Sequence, residues 1–91
     1  DPGNLPLSIR VAREHLRRGD IPAAVGVIKD AAKARPKDAI PQLILGEIYL
    51  RHLQKPTVAE QHARLAANLQ PELFAARELL WQIASFSGQG T

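Results

Sequence analysis

The groups in this 91-residue chain best suited to ligate a metal, move a proton or hold an anion are three histidines, nine carboxylates and twelve Lys or Arg side chains; cysteine is absent. His15, His52 and His62 are never four residues apart, so no pair of them forms the helical two-histidine zinc arrangement, and no thiolate can stand in. No glycine-rich phosphate loop follows a strand-like run. Glu60 has no catalytic companion near it in sequence and reads as a helix-capping carboxylate rather than a general base. His15 reads as a core or helix-crossing residue, and His52 and His62 as exposed. These spacings predict no enzyme activity, no cofactor and no metal. Anion binding is the chemistry that remains, through Arg10, Arg13, Arg17 and Arg18 on one segment and Lys29, Lys33, Arg35 and Lys37 on the next. Glu14, Asp20, Asp30 and Asp38 interrupt both groups, and no aromatic residues interleave with them, so nucleic acid ranks below an acidic protein segment as the partner.

The elements that position these side chains are helical by composition. Hydrophobic residues make up 45% of the chain but aromatics only 4%, a balance favouring helices that approach closely over alanine. One domain fits the length, with a core that is only marginal in size. No apolar run approaches the roughly 20 residues of a bilayer span, and no basic-then-apolar signal pattern opens the chain. Without cysteine the redox compartment stays open between cytoplasm and periplasm, with cytoplasm favoured. Residues 1–4 and 87–91 read as an N-terminal linker or appended remnant and a flexible tail, and the sequence as a piece of a longer protein.

Asn4 can cap a first helix over about 5–18 that stops at Gly19. Asp20 caps a second, with Pro22 in its first turn and an apolar stripe through Ala24, Val25, Ile28, Ala31 and Ala32 that ends before Pro36. The two-residue connection makes these helices antiparallel neighbours. Asp38 caps a third helix, apolar around so much of its circumference that it should be covered on more than one side. Thr57-Val58-Ala59-Glu60 is a capping-box pattern for a fourth helix running to about Leu69, before Pro71. A fifth, about 72–86, carries Phe74, Leu79, Trp81 and Phe86 and is expected to close the stack, as an internal cap or as a face that pairs with another copy.

Placing Pro36 on Pro71 superposes Ala31 on Ala66, Ile28 on Ala63 and Ala24 on Ala59, a period of about 35 residues. Ala12 and Gly46 are small residues where paired helices would touch, each followed after three residues by His15 and Tyr49. The second unit needs one extra residue between Leu53 and Pro56. This frame resembles the tetratricopeptide repeat family, whose unit is a helix-turn-helix of 34 residues. Ala12, His15, Gly19, Asp20, Ala24, Ile28, Ala31 and Pro36 match its signature positions in the first unit, and Leu45, Gly46, Tyr49, Ala59, Ala66 and Pro71 in the second. Ala63 is smaller than the pattern asks, and Trp81 stands at a small position, which suits an end cap. Armadillo-like and Sel1-like repeats fit the period less well. The short links and the junctions at 34–38 and 68–73 resemble bacterial members of the family.

The resemblance implies an all-α, right-handed superhelical stack of two repeats, about 5–38 and 39–73, with a C-terminal capping helix. It also implies a concave groove that binds a peptide or helix of another protein and scaffolds assembly, with self-assembly as the alternative. Carried over by position, the groove residues are Ile9, Arg13, Leu16 and Arg17, then Ile40, Leu43, Glu47, Leu50 and Arg51. A segment with aliphatic anchors and carboxylates suits such a surface. The family's carboxylate clamp of Lys and Asn meets Ile9, Arg13, Leu43 and Glu47 here, so chaperone-tail binding is not expected.

Overall fold

A computed structural model describes residues 3–88 as five helices: α1 (Leu5–Arg17), α2 (Ile21–Ala34), α3 (Ala39–Arg51), α4 (Pro56–Leu69) and α5 (Phe74–Gly88), with no strand among the described residues. Three of the helices start on a side-chain cap. Asn4 Oδ1 accepts from the Leu7 amide at 3.2 Å, Asp20 Oδ1 from Ala23 at 3.3 Å and Asp38 Oδ1 from Ile40 at 3.0 Å. The expected capping box of α4 does not form. The helix starts at Pro56, one residue before Thr57; Lys55 occupies the cap position without a side-chain bond, and Glu60 instead pairs with Arg64 at 2.6 Å. Proline explains the shift, because its fixed φ and missing amide hydrogen suit the first helical position.

The α1–α2 turn is a Schellman motif. Gly19 lies at φ +82°, its amide bonds to Leu16 O at 3.0 Å, and the Asp20 amide bonds to His15 O at 2.8 Å. The α3–α4 turn is one residue wider, since the Lys55 amide reaches back to Tyr49 O at 2.8 Å, and the left-handed residue inside it is Gln54, at φ +53°. Helix boundaries repeat accordingly. α1 and α3 start 34 residues apart, whereas α2 and α4, like α3 and α5, start 35 apart. The links that follow α2 and α4 also repeat, with Asp38 N bonded to Arg35 O and Leu73 N to Gln70 O, both at 3.0 Å.

Each helix packs on the next in the chain, and α3 also meets α5. The shortest dimension, 16 Å, holds two layers of helices. α3 serves two cores, as its apolar circumference requires. Leu45 and Ile48 face Ala12, Ala24 and Ile28, whereas Leu43 and Leu50 face Ala59, Ala63, Leu79 and Ile83. Full burial of Ile28 and Leu45 contributes about 1.5–3 kcal/mol each. Alanine and glycine set the spacing: a Cβ on Gly46 would lie 2.9 Å from Leu79 Cδ2 and 3.3 Å from the carbonyl oxygen of Ala59. Leu79 thus fills the room that Gly46 and the short Ala63 leave.

Four expectations change at the edges of the fold. α5 starts at Phe74 rather than near Glu72, because Pro71-Glu72 form a turn like the one at Pro36-Lys37. Its buried face is Ala76, Leu79 and Ile83, while Phe74 and Trp81 are 71% and 69% exposed, so the aromatic residues do not close the stack from inside. At the other end, Gly3 and Asn4 are tied into the fold rather than acting as a linker, through the Arg35 bond to Gly3 O and the cap of α1. Ser87 and Gly88 continue α5; the remaining tail positions 89–91, like 1 and 2, lie outside the described residues.

Candidate functional site

α1 and α3 line one hollow with residues at the same spacing. Ile9, Ala12, Arg13 and Leu16 on α1 face Ile44, Glu47, Ile48 and Arg51 on α3, each set following the i, i+3, i+4, i+7 pattern of one helical stripe. With His52 they enclose a pocket of about 220 Å³. Its floor is apolar, from Ala12 and Ile48 of the buried core, and its walls are the half-buried Ile9, Leu16 and Ile44. That volume is below the roughly 300 Å³ of small-molecule sites, yet it accommodates one or two aliphatic side chains.

The rim is charged. Arg13 is exposed and makes no hydrogen bond or ion pair with any described residue. Arg51 is held in place, donating from Nη2 to Gln82 Oε1 on α5 at 3.1 Å and lying 3.6 Å from Glu47. Arg51 also lines a second, more open depression with Leu50, Gln54, Trp81 and Gln82, between α3 and α5. One guanidinium therefore borders both hollows.

Of the residues expected in a groove, Ile9, Arg13, Leu16, Glu47 and Arg51 come together around the first pocket. Arg17 points elsewhere, into an exposed cluster in which its Nη2 and Arg18 Nε each lie 2.8 Å from Glu14, holding that carboxyl below its ordinary range. Ile40, Leu43 and Leu50 belong to the second core instead, with Leu43 and Leu50 only 8% and 7% exposed. Ile9 and Leu43 are equivalent in the repeat but not in environment: Leu43 packs in the core that α3 shares with α4 and α5, whereas Ile9 stays half-buried at the looser edge between α1 and α3. Ala12, Ile44, Ile48 and His52 were missed; for the α3 residues the Ile44-Glu47-Ile48-Arg51 stripe was the signal, masked by the apolar residues on every side of α3.

Two other ionisable groups, Asp38 and His62, are tied into the fold. Burial pushes the Asp38 carboxyl up, but the Ile40 amide and the Arg35 guanidinium at 2.9 Å outweigh it and hold the group low. His62, expected at the surface, is half-buried between α3 and α4, with Nδ1 2.8 Å from Gln42 Oε1 and its ring stacked on Tyr49. Among the described residues no three His, Asp or Glu side chains converge as metal ligands, and no helix is long and apolar enough to cross a membrane. No family model, curated protein or solved structure matches the chain.

Proposed function

We propose that the chain is a non-catalytic protein-interaction module, a right-handed stack of two tetratricopeptide-like helix-turn-helix units and a fifth helix, that holds a segment of another protein between α1 and α3. The observation carrying this reading is the pocket in which an apolar floor meets an unpaired Arg13 and a pre-positioned Arg51. A leucine or isoleucine anchor suits the floor, and an aspartate or glutamate one turn away suits Arg13. The recurrence of helix starts at 34 or 35 residues, with matching turn hydrogen bonds, supports the repeat architecture. Nucleic acid is the weaker reading, because Glu14 engages two arginines of α1 and Asp38 engages Arg35.

Selection from a library of displayed peptides tests this directly. Sequences combining aliphatic and acidic residues are expected to bind the wild-type chain and to lose binding to an Ile9→Asp, Arg13→Glu variant whose helical circular dichroism is unchanged. Peptides that bind both proteins equally would move the site away from α1 and α3.

A further inference from the structure

The outward face of α5 is the largest aromatic surface on the molecule. Phe74 and Trp81 are two helical turns apart on one stripe, each about 70% exposed, and together they are half of the chain's four aromatic residues. The 35-residue offset maps this stripe onto Ala39 and Gly46 of α3, on the face of α3 that α4 covers. Trp81 occupies the place of Gly46. An indole there fills the gap into which the Ala59 carbonyl fits at Gly46, so no helix can approach α5 as closely as α4 approaches α3. The stripe therefore suits a partner that packs aromatic against aromatic.

The charges beside the stripe identify that partner. Arg77 and Glu78 flank its midpoint on opposite sides; both are exposed, and neither makes an ion pair or side-chain hydrogen bond with any described residue. We infer that a second copy of this chain covers the face, α5 against α5, with the two helices running in the same direction about a two-fold axis parallel to them. This arrangement stacks Phe74 on Phe74 and Trp81 on Trp81. It also brings Arg77 of each copy opposite Glu78 of the other, on both edges of the seam. The antiparallel arrangement centred at this level opposes Arg77 to Arg77 and Glu78 to Glu78, so the charges favour the parallel one. The residues that anchor α5 to its own chain, Ala76, Leu79 and Ile83, lie on the other side of the helix and are undisturbed.

Light scattering on a size-exclusion column, over a concentration series, tests the assignment. The wild-type mass is expected to rise from one chain to two, with a blue shift of Trp81 emission that follows the concentration. Trp81→Ala and Arg77→Glu should each weaken the dimer by about tenfold or more while leaving helical content intact. The charge swap Arg77→Glu with Glu78→Arg should restore it. A single-chain mass at every concentration overturns the proposal, as does a dimer indifferent to Trp81→Ala; failure of the swap to restore association overturns the parallel arrangement. The Ile9→Asp, Arg13→Glu variant should dimerise normally, so loss of peptide binding and loss of self-association are read separately.

Discussion

The Tyr49 phenol ring and the His62 imidazole lie face to face, their centroids 5.4 Å apart and their planes 7° from parallel. The pair joins α3 to α4 beside the wider turn, and Tyr49 packs on both cores. Burial, and secondarily the positive charge of Lys29 on α2, hold the His62 pKa below its ordinary 6.5. The unfolded chain therefore takes up a proton at His62 before the folded one does. Stability is full above about pH 6.5 and falls as the pH drops through that value toward the lower folded pKa. Thermal melts from pH 7.5 to 5 should show Tm falling, and His62→Gln should flatten that slope. An unchanged slope in the variant would assign the effect to another group. Glu14 and Asp38, held low by their partners, lose their contribution only at the more acidic end, near pH 4 and below.

Two glycines in helix interiors, Gly46 and Gly26, should respond oppositely to a side chain. Gly46→Leu drives atoms into the Ala59 carbonyl and into Leu79, and should cost about 1–3 kcal/mol. Gly26, in the middle of α2, has open space where its Cβ would be, so Gly26→Ala should gain about 0.5–1 kcal/mol from helix propensity alone. Denaturant titration of the two variants measures both.

The turns offer a second opposed pair. Gln54 adopts a left-handed conformation that costs a side-chain-bearing residue about 1 kcal/mol, so Gln54→Gly should raise Tm. Gly19→Ala, at φ +82°, should lower it by a similar amount.

Leu43→Asp separates groove from core. With its side chain buried between α4 and α5, a carboxylate at 43 should unfold the protein or cost about 3 kcal/mol or more, whereas Ile9→Asp should leave the fold standing. Circular dichroism distinguishes the two at once.

Much of this was legible in the sequence because it is local. Asn4, Asp20 and Asp38 cap, Gly19 stops a helix and Pro36 and Pro71 mark the breaks, since each acts on backbone within a few residues of itself. Even the extra residue of the second turn could be counted from the spacing of Tyr49 and Ala59. Properties that depend on which neighbour lies across a helix were not legible. Thr57 had the right companion in Glu60, but Pro56 claimed the helix start. His62 looks like any surface histidine until Tyr49 and Gln42 arrive from α3. On α3, apolar residues at 43, 44, 45, 48 and 50 cannot be sorted into two cores and a pocket wall by periodicity, because every face carries one. Only the packing of α5 decides that Leu43 and Leu50 are core while Ile44 stays at the pocket edge.

The first turn gives one residue two duties: the Asp20 amide closes α1 on His15 O, and the Asp20 carboxylate opens α2 on Ala23 N. Fraying the end of α1 therefore uncaps α2 as well, and the hairpin opens as a unit or not at all. Lys55, its counterpart in the second turn, keeps the first bond and lacks the second. Hydrogen exchange should accordingly be faster at the start of α4 than at the start of α2, so that the link between α3 and α4 is the first to breathe.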